Sequence, residues 1–147
     1  GGDWGGVQGI STSDFPMRMM VDYVRVFKQS NSYNNIDVTF RVNMKNENVN
    51  STGVWLSGGN LGSGQPGGIQ MEQSSDQNIW QITLTLPPNS NYTYKYRNGY
   101  FPNSWQGGWE VLDNGCGVGD HNDRSLSISD TDTLLASICF GDCLTCE

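Results

Sequence analysis

This sequence predicts an all-β domain folded as an antiparallel β-sandwich, and three observations carry that prediction. Short segments alternate apolar and polar residues with a period of two, the signature of half-buried strands. Gly (19 residues), Asn, Asp and Pro interrupt these segments at close intervals, as turns require. No block rich in Ala, Leu, Glu and Lys occurs anywhere in the 147 residues, so no stretch favours a helix. The length suffices for one domain with a core and a short appendage.

Taken in order, the chain divides at "KQSNSYNNI", residues 28–36, a polar stretch with linker chemistry. Residues 1–29 form an upstream piece, 30–36 the linker and 37–147 the main domain. Upstream, Met17 to Phe27 reads as a single strand, apolar on both faces, and so needs a partner surface. Downstream, "DVTFRVNM" places Val38, Phe40, Val42 and Met44 on one face. "GVWLS" sets Val54 and Leu56 inward and Trp55 outward. "IWQITLTL" lines up Trp80, Ile82, Leu84 and Leu86 until "PPN" stops it, because proline offers no N–H to a ladder. "NYTYKYR" stacks Tyr92, Tyr94 and Tyr96 on an inner face. Short strands are expected at Glu110–Leu112 and Arg124–Ile128, with "TLLASICF" as the last. About seven strands separated by turn residues make a sandwich.

Charge narrows the function classes. The formal net charge is −7 and the eight basic residues are scattered, which leaves no footprint for nucleic acid and opposes anionic membranes. No apolar run approaches the ~20 residues that span a bilayer. The chain opens on Gly1 with no signal peptide, which reads as a processed or lost N-terminus. Cys116, Cys139, Cys143 and Cys146 crowd the last third. An even count in a Gly- and Asn-rich chain indicates disulfides and a secreted or cell-surface protein. A zinc site built from the four thiolates is the competing reading, but the spacing C-x22-C-x3-C-x2-C lacks paired knuckles. Cys116 with Cys139 and Cys143 with Cys146 is one pairing; Cys116 with Cys143 stays open.

Two resemblances follow from particular motifs. "GGDWGG", "FP" and "MMVDYVRVF" in residues 1–29 resemble the C-terminal end of a glycoside hydrolase family 16 (laminarinase-like) catalytic domain, whose last strand reads in much this way. The resemblance covers about a fifth of the chain and implies a β-glucanase upstream. That family's catalytic Glu-x-Asp-x-(x)-Glu strand is missing: the glutamates are Glu47, Glu72, Glu110 and Glu147, none so spaced. A retaining glycosidase needs two carboxyls ~5 Å apart, so the chain itself is expected not to be an enzyme. Residues 37–147, through "VTFRVNM", "GVWLSGG", "IWQITLTLPPNSNYTYKYRNG", "WE" and "NDRSLSI", look distantly like the starch-binding domains of carbohydrate-binding module family 20. The resemblance implies an immunoglobulin-like sandwich and a sugar-binding role, with Trp109 and Glu110 at the family's Trp-Glu position and Arg124 at its Asn-Arg position. Where that family carries a second Trp after Leu-Gly, this chain reads "NLGSGQPGG". Fold and role carry over, but starch as the ligand does not.

The candidate site centres on "NGYFPNSWQGGWE", residues 98–110. Flat rings suit the C–H face of a sugar, and amide, carboxylate or guanidinium groups suit its hydroxyl edge. Trp105 and Trp109 are the expected platform, with Tyr100 as a further ring and Phe101 as a loop anchor. Trp55 is an outward ring that serves a second platform or an interface. Glu110, Arg97, Gln106 and Asn103 are the expected polar partners, with Lys95, Asn122, Asp123 and Arg124 nearby. Asp120, His121 and Asp123 in "GDHNDR" read as turn chemistry rather than a metal site; no cofactor and no metal are expected. "NST" at 50–52 and "NYT" at 91–93 match the glycosylation pattern, as chance allows in an Asn-rich chain. The expected partners are a polysaccharide, most of all a β-1,3-glucan such as laminarin, and the chain's own catalytic domain, around a monomer. Starch or a sulfated galactan is the alternative ligand, and a structural spacer or anchoring domain is the alternative role.

Overall fold

A computed structural model describes residues 34–61, 66–112 and 115–147, all within one compact unit, Ser32–Glu147. The strand expected at Met17–Phe27 and the rest of residues 1–29 lie outside the described residues. Nine strands are present among the described residues: β1 (Ile36–Asn43), β2 (Val54–Ser57), β3 (Ile69–Gln70), β4 (Glu72–Gln73), β5 (Ile79–Leu86), β6 (Asn91–Asn98), β7 (Arg124–Ser127), β8 (Thr133–Leu134) and β9 (Ile138–Cys139). One sheet runs β4-β5-β1-β8, with β9 also on β1; the other runs β3-β2-β6-β7. The two sheets enclose one core, and the domain is an all-β sandwich.

The period-two reading fixes which faces meet. Ile36, Val38, Phe40, Val42 and Met44 from β1 and its end are buried, as are Val54 and Leu56 from β2 and Tyr94 and Tyr96 from β6. Trp80, Ile82, Leu84 and Leu86 of β5 pack against them, half-buried. β1 and β5 pair antiparallel over eight residues, Ile36↔Leu86 to Asn43↔Ile79. Across the core, the Phe40 ring meets Tyr94 edge-on at 5.0 Å. Tyr96 Oη donates to the Arg41 carbonyl at 2.9 Å, so a sheet-2 side chain satisfies its hydroxyl on sheet 1. Burial raises the Tyr96 phenol well above its ordinary value, and raises Tyr94 as well.

Four features differ from expectation. The segment "IQMEQ" builds two strands rather than none. Ile69–Gln70 pairs with β2 and Glu72–Gln73 with β5. Met71 between them is buried and gives its N–H to the Val54 carbonyl at 2.9 Å. The chain thus changes sheets at a single buried side chain. Next, "TLLASICF" is not one antiparallel strand; it forms β8 and β9, both parallel to β1. Third, Glu110–Leu112 is no strand. Trp109 makes a lone bridge to Arg97, and the Tyr96 N–H goes to Glu110 Oε1 at 2.8 Å instead of extending the ladder. Last, of the pairings considered, the disulfides take the one left open, Cys116 to Cys143, which leaves Cys139 to Cys146. The pairing of Cys116 with Cys139 does not occur, because Cys139 sits buried on β9 beside β1, where the turn at Asp142 (N–H to the Cys139 carbonyl, 3.1 Å) brings Cys146 back to it.

Candidate functional site: an aromatic face beside a cleft

Strand parity puts Lys95 and Arg97 on the outward face of β6, opposite Tyr94 and Tyr96. Trp55 pairs with Arg97 on one side and Trp109 bridges it on the other. Trp55, Arg97 and Trp109 therefore stand in one row across the sheet. The outer two are about 10 Å apart by two strand spacings. Loop 99–108 folds back over the centre of this row and covers Arg97 completely.

Two parallel ring pairs flank the covered centre. Trp105 and Trp109 have centroids 6.4 Å apart and planes 9° apart, and Trp109 Nε1 donates to the Trp105 carbonyl at 2.8 Å. Trp105 is 54% exposed and Trp109 half-buried. At the other end Trp55 and Tyr100 stack at 4.4 Å and 24°. A small turn, not among the expectations from sequence, places this second pair. Asn50 Oδ1 accepts from the Thr52 N–H at 2.9 Å and the Thr52 hydroxyl at 2.7 Å. Thr52 in turn takes Trp55 Nε1 on its carbonyl at 3.0 Å and the Tyr100 N–H on its Oγ1 at 2.8 Å. The signal was visible as Asn-x-Thr, which forms such side-chain turns.

A cleft of about 380 Å³ opens beside the tryptophan pair. Trp105 and Trp109 line it together with Lys95, His121, Asn122 and Asp123. The last three belong to a hairpin closed by two bonds between Val118 and Asp123, at 2.8 and 2.9 Å. Lys95 Nζ donates to the His121 carbonyl at 2.6 Å and so fixes the hairpin to β6. The result is an aromatic wall facing polar edges. Among the described residues no group of three or more His, Cys, Asp or Glu side chains is arranged to hold a metal.

Two expected ligand contacts, Arg97 and Glu110, are engaged with protein partners, although Glu110 also lines the cleft. Arg97 is wholly buried. Its Nε reaches the Gly107 carbonyl at 2.9 Å, Nη1 the Pro66 and Phe101 carbonyls, and Nη2 those of Ser104 and Gln106 at 2.8 and 2.9 Å. The guanidinium lies 4.7 Å from the Phe101 ring centroid and 4.2 Å from that of Trp109. Burial lowers its pKa, yet a guanidinium stays charged in proteins. Glu110 is 1% exposed. Its carboxylate holds Arg124 through both oxygens, at 2.9 and 2.6 Å, and also takes the Tyr96 and Gly141 N–H groups. Arg124 further donates to the Cys139 and Asp142 carbonyls. This buried ion pair joins the loop, β6, β7 and the cysteine-rich tail. Asn103 and Gln106 are exposed on the loop but lie outside the cleft lining. Phe101 acts as the anchor, its ring filling the space under Gly107 and Gly108. Compared with known proteins, the chain matches no family model and no curated protein.

Proposed function

We propose that the described domain is a non-catalytic carbohydrate-binding module. The observation that carries this reading is the near-parallel Trp105–Trp109 pair, lining a cleft with polar edges and exposed at Trp105. The Trp109 face turned to Arg97 is occupied, so a sugar stacks on Trp105 and the cleft side of Trp109. Lys95, Asn122 and Asp123 supply hydroxyl partners, and the Trp55–Tyr100 pair offers a second apolar surface. Arg97 and Glu110 have their polar atoms committed to the protein and Arg124 is buried against Glu110, so they support the surface rather than bind. The module raises the local concentration of an attached hydrolase on its polymer, and binding is weak per chain and strengthened by that linkage.

The ligand proposed is a β-1,3-glucan such as laminarin, a choice that rests on the hydrolase-like residues 1–29. The cleft chemistry supports a neutral glycan over a sulfated one, since Arg97 is saturated, Arg124 is buried against Glu110 and only Lys95 adds a lysine or arginine to the lining. Two disulfides are compatible with an extracellular protein, and secretion with the parent enzyme is part of the proposal.

Affinity electrophoresis of the full chain through laminarin, mixed-linkage glucan, agarose, carrageenan and starch tests the reading. Retardation by a neutral glucan, reduced in Trp105→Ala and Trp109→Ala, is the expected result. Migration unaffected by all five polymers sinks the binding role and favours a structural spacer.

A further inference from the structure

Arg97 is the largest wholly buried side chain among the described residues, although its strand parity points it out of the sandwich. Its bonding explains the contradiction. A guanidinium has five N–H donors in a fixed fork, and Arg97 makes five bonds, each to a backbone carbonyl. Four acceptors, Phe101, Ser104, Gln106 and Gly107, belong to the loop that carries both exposed rings. The fifth, Pro66, lies just before β3. No acceptor belongs to a strand of the core. The guanidinium is also held between Phe101 and Trp109, which sets the plane of the Trp109 ring against which Trp105 lies parallel. The side chain therefore serves the loop, not the sandwich.

We propose that Arg97 is the positioning residue of the aromatic surface: its fork shapes loop 99–108 before any ligand arrives, and ligand affinity depends on that fork without contact to it. This rests on the carbohydrate-binding reading for its functional meaning. The loop sequence "GYFPNSWQGG" holds three glycines and no regular hydrogen-bond ladder. Left free, it would lose entropy on gripping a sugar, and a preorganised loop avoids that loss. Lysine keeps the charge and the cation–π contact, but three donors on one atom do not reach five carbonyls in a plane.

Hydrogen exchange of the Arg97 Nε–H, followed by NMR in the ligand-free full chain, is the first arm. Slow exchange, compared with an exposed arginine, is expected. Exchange as fast as an exposed arginine overturns the proposal, whether or not any glycan binds. In the second arm Arg97→Lys is titrated with laminarin oligosaccharides by calorimetry. Affinity falls about tenfold through a less favourable entropy, while the core tyrosine and valine resonances keep wild-type positions. Affinity within about twofold of wild type overturns the proposal. If Arg97→Lys does not fold, the exchange arm decides alone. If the wild type binds no glycan while its Arg97 N–H is protected, the carbohydrate reading fails and the preformed loop stands.

Discussion

Trp105 and Arg124 illustrate how differently two residues of one site respond to substitution. Trp105 is more than half exposed, so Trp105→Ala leaves stability within about 0.5 kcal/mol. It removes one stacking surface worth about 1 kcal/mol. Calorimetry should show roughly fivefold weaker glucan binding with an unchanged urea midpoint. Arg124 is the opposite case. Arg124→Met leaves the Glu110 carboxylate buried without its cation, a loss of about 3–5 kcal/mol, visible as a large drop in the urea midpoint. Tyr96 adds a pH dependence. Because burial holds its phenol above the ordinary 10.0, the unfolded chain releases that proton first as pH rises. Above pH 10.0 the unfolded state then binds fewer protons, and stability falls. Urea midpoints should decline above that pH and be flat in this respect below it, with a shallower decline in Tyr96→Phe.

At the scale of elements, legibility tracks how local the cause is. β1, β2, β5 and β6 were readable because each repeats an apolar residue at every second position, and burial follows from that pattern alone. β3 and β4 were not, since two-residue strands in "IQMEQ" have no period; they exist because Met71 needs the core. Met71→Ala should cost about 2–5 kcal/mol and part both short strands from their sheets. The site divided in the same way. Trp105 and Trp109 were legible as exposed rings between strands, and they do share one cleft with Lys95, Asn122 and Asp123. Glu110 lines that cleft too, but the protein partners that hold Arg97 and Glu110 were not legible, because they come from a loop that folds back and from the distant Arg124, which no spacing reveals. Gly108 marks where that fold-back is tightest. It has φ 72°, and an added Cβ would stand 2.6 Å from the Asn98 carbonyl oxygen. Gly108→Ala should therefore disturb the loop, and Trp105 and Trp109 fluorescence should report it even where the sandwich melts normally.

For the whole molecule, β1 is the organiser. It pairs along its length with β5 and on its other edge with β8 and β9. The final strands are too short to hold themselves, and the disulfides compensate. Removing Cys116–Cys143 by a double alanine substitution reopens a loop with a sequence separation of 27, a loss of about 3 kcal/mol measurable in non-reducing urea. The two cross-links also interlock, because Cys139–Cys146 begins before Cys143 and ends after it. Every peptide bond from Cys116 to Cys146 is thereby spanned by at least one bridge. A protease that cuts once at the exposed hairpin tip around Asp120, or anywhere else in that stretch, releases no fragment. The nicked chain keeps its mass on a non-reducing gel and comes apart only when reductant is added.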